Sequence, residues 1–93
     1  MTPGLISILV PCYNQGMYLK ETIQSALASS YRPIEILIIN DGSTDHSLAL
    51  ARELEAQHPE VRVLDQANAG VTKARNTGIA AAQGQYILPL DGD

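Results

Sequence analysis

Two aspartates, Asp91 and Asp93, flank Gly92 in the segment "LDGD". Residues two apart in an extended segment point to the same side, so both carboxylates can face one ion. Carboxylates held this close repel each other unless a positive charge lies between them. Mg²⁺ and Mn²⁺ take one or two carboxylates and complete their shells with water and phosphate oxygens. The pattern favours a metal and diphosphate site, although a solvated turn explains an isolated Asp-Xaa-Asp equally well.

Three further side chains have chemistry that suits a nucleotide. The ionised carboxylate of Asp41 only accepts hydrogen bonds, so it can pair with the imide N–H of uracil or guanine but not with cytosine. Tyr13 can stack on a base, and Arg75 can meet a base carbonyl or a phosphate. Two of them have a common structural alternative, which is packing for Tyr13 and a solvated helix face for Arg75. For Asp45 we expect a structural role at a helix start.

Alternating strand and helix patterns position these residues. Four apolar runs predict strands: "LISILV", closed by Pro11, then "IEILII", "VRVL" and "QYILPL". Between them, helical spacing predicts helices over "MYLKETIQSALAS", from the "NDGSTD" segment to about Gln57, and over 71–82. We expect Ser43 or Thr44 to cap the second helix and Gly84 to end the third.

This alternation is typical of right-handed βαβ units, which predicts an α/β fold of three α/β/α layers around a parallel sheet. In such sheets, ligands bind beyond the carboxyl ends of the strands. A polar cluster follows each predicted strand, namely "PCYNQG", "NDGSTD", "DQANAG" and "DGD". The sequence therefore predicts one polar rim at one edge of the sheet.

Composition narrows the classes of protein. The chain has 93 residues, 45% of them hydrophobic, which suits one small domain. Its net charge of -4 with six Lys and Arg predicts no nucleic-acid partner. The single cysteine, Cys12, excludes an intrachain disulfide. The apolar runs are too short for a membrane span, so we expect a cytoplasmic protein, with membrane association through other parts left open. No P-loop motif or Gly-x-Gly-x-x-Gly pattern occurs.

In order and spacing, "PCYN", "NDGSTD", "ARNTG" and "DGD" resemble the N-terminal nucleotide-sugar-binding half of family-two glycosyltransferases with the GT-A fold. The resemblance covers nearly the whole chain, 1–93, and implies a truncated, Rossmann-like sheet with strand order 3-2-1-4. It also implies inverting transfer from a nucleotide sugar, commonly a UDP-sugar, with Mg²⁺ or Mn²⁺ under the diphosphate.

The resemblance assigns roles to individual residues. The family's base-stacking Tyr corresponds to Tyr13, and its uracil-pairing Asp corresponds to Asp41. Its metal-binding Asp corresponds to Asp93. Asp91 corresponds to the Asp on the ribose side and is a second candidate metal ligand. The implied nucleotide-binding set is Pro11, Tyr13, Asn14, Asp41, Arg75 and Asp91. Asn40 stands where many relatives have a second Asp, which leaves the choice of nucleotide open.

The resemblance implies that the general base and the acceptor-binding half lie downstream of Asp93, so we expect this segment to be inactive alone. Two other functions stay open: a non-catalytic domain that keeps the fold, and a sugar nucleotidyltransferase of related topology. A truncated sheet leaves an uncovered edge strand, so we also expect self-association.

Overall fold

The computed structural model describes residues 2–14, 16–30 and 33–90. Four strands alternate with three helices, in the order β1 (Thr2–Cys12), α1 (Gly16–Ala28), β2 (Ile34–Asp41), α2 (Ser47–Gln57), β3 (Val61–Gln66), α3 (Val71–Ala81) and β4 (Gly84–Pro89). The strands form one sheet of order β3-β2-β1-β4, and all neighbouring pairs are parallel. The predicted strand order and parallel sheet are confirmed.

The helices cover the two faces of the sheet unequally. Alternate residues of β1 and β2, such as Ile8 and Ile38, pack with α1 and α2 in the larger core. The other alternation, including Leu9 and Ile39, packs with Ala74 of α3 in a smaller core. Every residue of β2 is buried, because this strand has a neighbour on each side and helices on both faces. The three predicted α/β/α layers are therefore present.

The prediction that the first strand ends at Pro11 is wrong, because β1 continues to Cys12. The carbonyl of Leu9 accepts the N–H of Leu90 (2.8 Å), so the peptide groups of Leu9 face β4. Peptide groups alternate sides along a strand, which turns the missing N–H of Pro11 toward β4 as well. The β1–β2 pairing thus continues past Pro11, which lies opposite Ile39.

Gly84 begins β4 and does not end α3, so that prediction is wrong. It lies against Ser7, whose hydroxyl accepts the N–H of Gly84 (2.9 Å). A Cβ at this position would come within 2.8 Å of the Leu5 carbonyl oxygen. The Glu35 carboxylate accepts the Ser7 hydroxyl (2.5 Å) and the N–H of Gln83 (2.7 Å). These bonds fasten the start of β4 to the amino-terminal edge of the sheet.

The edge strand β4 is exposed on both faces. Tyr86 and Leu88 share the face that α1 and α2 cover elsewhere, while Ile87 lies on the α3 face, and all three are exposed. Within the described parts of the chain, no helix combines the length and hydropathy that crossing a membrane would require.

Candidate nucleotide-binding site

Three loops meet at the carboxyl-terminal edge of the sheet. They follow β1, which ends at Cys12, β2, which ends at Asp41, and β3, which ends at Gln66. The parallel register pairs Cys12 with Asn40 and Asp41 with Gln66, so the three strands finish almost level. As a result, the polar residues of the three loops form one rim.

Asn14 ties the first loop to the second. Its backbone has φ of 50°, a left-handed conformation that Asn tolerates better than most residues. Its side-chain oxygen accepts the backbone N–H groups of Thr44 (2.7 Å) and Asp45 (3.2 Å). Its own N–H donates to the Ser43 hydroxyl (3.0 Å). The segment after β2 is therefore wrapped around one asparagine side chain.

Asp45 stabilises the start of α2, as predicted. Its carboxylate accepts the backbone N–H of Ser47, the first residue of that helix (2.9 Å), and the Ser47 hydroxyl. These bonds from Ser47 lower the pKa of Asp45 below its usual value. The alternative prediction, a cap from Ser43 or Thr44, is wrong because both residues bond to Asn14 instead.

Asp41 ties the second loop to the third. Only 4% of its surface is exposed. Its Oδ1 accepts Nε2 of Gln66 (3.0 Å) and the N–H of Ala69 (2.8 Å), and its Oδ2 accepts the N–H of Gly70 (3.0 Å). Burial acts to raise the pKa of Asp41, but these hydrogen bonds outweigh it and lower the pKa below the usual value. Asp41 is therefore ionised at neutral pH and acts only as an acceptor.

Gly42 allows the second and third loops to touch. Its φ of 70° favours glycine, and a Cβ there would lie 2.6 Å from the backbone nitrogen of Asn68. The Asn68 side chain donates to the carbonyl of Asp41 (3.1 Å). Position 42 of the "NDG" turn therefore requires glycine for two reasons, its positive φ and the close packing against Asn68.

The structure brings part of the predicted site together. Tyr13, 48% exposed, lies beside Asn14 in the first loop, next to the segment that follows Asp41. Pro11 is buried within β1, and Arg75 is half-buried in α3. The predicted roles of these residues in nucleotide binding stay predictions.

Asp91 and Asp93 lie outside the described residues. The described chain ends at Leu90, the residue before Asp91, whose N–H donates to the carbonyl of Leu9, three residues before the end of β1. Among residues 2–14, 16–30 and 33–90, no three His, Cys, Asp or Glu side chains group as a metal site. Of the residues in this chain, the two aspartates remain the ligands predicted for a divalent ion.

Two residues at this edge were not foreseen as partners. Gln66 belongs to the polar segment "DQANAG", but its contact with Asp41 follows only from the register of β2 and β3. Asn40 donates through Nδ2 to Oδ1 of Asp65, its neighbour on β3 (2.9 Å). An ionised Asp at position 40 has no hydrogen to donate, so Asp65 gives a physical reason for Asn at this position.

A parallel α/β/α domain with polar loops at its carboxyl edge belongs to the class of open α/β folds, in which ligands bind at that edge. Comparison with known proteins identifies the family. Residues 7–93 match the family described as Glycosyl transferase family 2, and the chain belongs to it.

Relatives and solved structures agree with this assignment. The uncharacterized glycosyltransferase EpsJ of Bacillus subtilis is 45% identical over 89 residues, which is 96% of this chain and 26% of EpsJ. S. aureus TarS 1-349, solved with UDP-GlcNAc, superposes with a TM-score of 0.84 at 28% identity, covering 95% of this chain and 26% of TarS 1-349.

A mannosyltransferase from Pyrobaculum calidifontis, solved with GDP-Man and Mn²⁺, has a TM-score of 0.86 at 23% identity over 95% of this chain and 27% of its own. That similarity establishes the GT-A fold. A divalent ion is therefore bound by at least one protein of this fold. The chain spans about a quarter of the length of EpsJ and of TarS 1-349.

Proposed function

We propose that this chain forms the donor-binding part of an inverting glycosyltransferase that takes its sugar from a UDP-sugar. The observation that carries the proposal is the rim of hydrogen-bonded loops at the carboxyl edge of the sheet. The ionised carboxylate of Asp41 lies at the start of the second loop, and the exposed ring of Tyr13 lies in the first loop, which is bonded to the second. A base stacked on Tyr13 has its edge free for a hydrogen bond to a fixed acceptor.

The chemistry of Asp41 restricts which bases fit. Uracil and guanine carry an imide N–H that a carboxylate can accept, whereas cytosine offers a bare ring nitrogen. The UDP-GlcNAc complex of TarS supports uracil as the base bound here. The carboxylate of Asp41 does not by itself separate UDP from GDP, so contacts to the rest of the base must do so.

Asp91 and Asp93 are proposed to hold Mg²⁺ or Mn²⁺, with Asp93 as the principal ligand. Both are hard oxygen donors, which suits either ion. When bound, such an ion supplies Lewis-acid stabilisation of the negative charge that develops on the departing diphosphate. Arg75, on α3, is proposed to contact the nucleotide as a permanent positive charge.

Inversion of the sugar requires a general base that removes the proton from the acceptor hydroxyl. The family resemblance implies that this base lies beyond Asp93, so the proposed role of this chain is to bind and orient the donor. Sugar transfer, the acceptor and the identity of the sugar belong to the proposal for a longer protein.

The test is thermal unfolding with nucleoside diphosphates in the presence of Mn²⁺. A ligand at one hundred times its Kd stabilises a protein by about 2.7 kcal/mol, which for a domain of this size is roughly 10–20 °C in Tm. We expect UDP to raise the Tm, CDP to leave it unchanged, and Asp41→Ala to abolish the effect of UDP.

A matched pair of tyrosine variants tests the stacking role. Tyr13 and Tyr86 are similarly exposed, at 48% and 59%, but Tyr86 lies opposite Ile6, toward the other end of the sheet. Base stacking contributes about 1–3 kcal/mol, so Tyr13→Leu should weaken UDP binding at least fivefold, and Tyr86→Leu should not. If no nucleoside diphosphate changes the Tm, the proposal fails and a non-catalytic domain is favoured.

A nucleotidyltransferase is separated from a glycosyltransferase by its products. It would consume a nucleoside triphosphate and a sugar phosphate and would release pyrophosphate. Detection of pyrophosphate from a longer protein that carries this segment would replace the proposal with that alternative.

A further inference from the structure

We propose that Gln66 is a positioning residue that fixes which oxygen of Asp41 is presented to the nucleotide base, and that Thr77 fixes the orientation of Gln66. The inference rests on the proposed function, because it assigns a role within that same site. It arises from a chain of side-chain hydrogen bonds that joins the ends of β2 and β3 to helix α3.

The sheet register places Gln66 beside Asp41. The two residues are paired at the ends of neighbouring parallel strands, and their side chains lie on the face that α3 covers. Gln66 donates through Nε2 to Oδ1 of Asp41 (3.0 Å), and its Oε1 accepts the hydroxyl of Thr77 (2.7 Å). A side chain of α3 therefore reaches Asp41 through one amide.

The donors and acceptors allow only one orientation of this amide. The ionised Asp41 carboxylate has no hydrogen to donate, so the nitrogen of Gln66 must face it and the oxygen must face Thr77. Thr77 has one hydroxyl hydrogen, and the carbonyl of Lys73 lies 3.0 Å away as a competing acceptor. The shorter contact to Gln66 favours donation to the amide, which locks its orientation.

The result is an unequal use of the two Asp41 oxygens. Oδ1 accepts Gln66 and Ala69, which fills both of its acceptor directions, whereas Oδ2 accepts Gly70 alone among the described donors. Oδ2 is therefore the oxygen left to accept the imide N–H of a base. Without Gln66 the carboxylate is free to rotate, and Oδ1 competes for the same hydrogen.

Three variants test this inference, with UDP affinity measured by calorimetry in the presence of Mn²⁺. Gln66→Leu removes the amide at similar size, and we expect UDP binding to weaken about tenfold, because hydrogen bonds to charged groups are worth roughly 1.5–3 kcal/mol. Thr77→Val removes only the hydroxyl and should weaken binding severalfold. Thr77→Ser keeps the donor and should recover the affinity that Thr77→Val loses.

A second readout needs no ligand. The ¹³C shift of the Asp41 carboxyl carbon, followed with pH, should report a higher pKa in Gln66→Leu and Thr77→Val than in the wild type, and a return toward the wild-type value in Thr77→Ser. This rescue separates positioning from a general loss of packing, since valine and threonine have the same shape. If Gln66→Leu fails to fold, the Thr77 pair still decides.

The outcomes separate this inference from the proposed function. Wild-type protein that binds no UDP refutes the proposed function, and the carboxyl titration then decides alone whether Gln66 and Thr77 orient Asp41. Unchanged UDP affinity in both Gln66→Leu and Thr77→Val, or an unchanged titration of Asp41 in both, overturns the inference. Equal behaviour of Thr77→Val and Thr77→Ser also overturns it.

Discussion

Replacement of Asn14 should separate two contributions to the stability of the rim. Asn14→Gly keeps the left-handed backbone accessible and removes the side-chain oxygen. Asn14→Ala removes the same oxygen but keeps a Cβ, which the glycine variant lacks and which disfavours this conformation in alanine. The difference between the two variants therefore measures backbone strain, and their shared loss measures the side-chain hydrogen bonds.

The geometry of the rim sets the expected magnitudes. The Asn14 oxygen accepts two backbone N–H groups and a longer contact from the Thr44 hydroxyl (3.3 Å). These loops are exposed, so water replaces part of the loss, and each hydrogen bond is worth about 0.5–1.5 kcal/mol. We expect Asn14→Gly to cost about 1–3 kcal/mol in total, and Asn14→Ala to cost about 1–2 kcal/mol more.

Urea unfolding of the wild type and both variants, followed by circular dichroism, measures these differences. For a domain of this size, 1 kcal/mol corresponds to about 4–8 °C in Tm, so thermal unfolding is an independent check. Equal stability of Asn14→Gly and Asn14→Ala would refute the strain argument. Wild-type stability in Asn14→Gly would refute the claim that this side chain holds the second loop.

Two further predictions concern pH and association. Because the pKa of Asp41 is lower in the folded chain than in the unfolded one, its charge contributes stability above the unfolded pKa of roughly 4, and this contribution is lost as the pH falls through the folded value. The gap in unfolding free energy between wild type and Asp41→Asn should therefore shrink on acidification, and a gap that stays constant from neutral pH down to about pH 2 would contradict the argument. The exposed side chains of β4 (Tyr86, Ile87 and Leu88) together with the absence of charge over 84–90 predict that the isolated chain self-associates, whereas Ile87→Lys should be monomeric. Sedimentation velocity that finds only monomer for the wild type at high concentration would count against this prediction.

The fold could be predicted because its determinants are local. Each strand is a short apolar run, and each helix repeats its apolar residues at helical spacing, as Leu19, Ile23 and Ala26 do on α1. Alternation of the two periods implies crossover connections, and those imply a parallel sheet with its loops at one edge. The strand order came from the family resemblance, and the structure agrees with it.

The predictions of strand ends, helix ends and capping residues were wrong where the structure depends on a residue distant in the sequence. Pro11 predicts the end of β1, but a strand tolerates proline where the missing N–H faces away from the neighbouring strand that stays paired, which here is β2. Gly84 reads as a helix end, but it is required by the close approach of Ser7, which is 77 residues away in sequence. Likewise, Ser43 and Thr44 are good capping residues that bond instead to Asn14 from another loop.

In the candidate site, too, residue types could be predicted from the sequence but their hydrogen-bond partners could not. Asp41, the acid that ends β2, and Tyr13, the aromatic residue after β1, could be selected from the sequence as ligand contacts because of their chemistry. Their neighbours could not, because the hydrogen bonds of Asp41 run to Gln66, Ala69 and Gly70, 25 to 29 residues further along the chain. Gln66 is an unremarkable amide until the register places it beside a carboxylate.

Side-chain hydrogen-bond acceptors join the three loops of the rim to one another. The side chain of Asn14, from the first loop, accepts N–H groups of the second loop, and Asp41, at the base of the second, accepts N–H groups of the third. Each loop is thus held by a side chain from its neighbour, and none is held only by its own residues. Residues that share such a network do not contribute additively to stability. A ligand that hydrogen-bonds to Asp41 would therefore contact the residue that also holds the third loop, through the N–H groups of Ala69 and Gly70 just before α3.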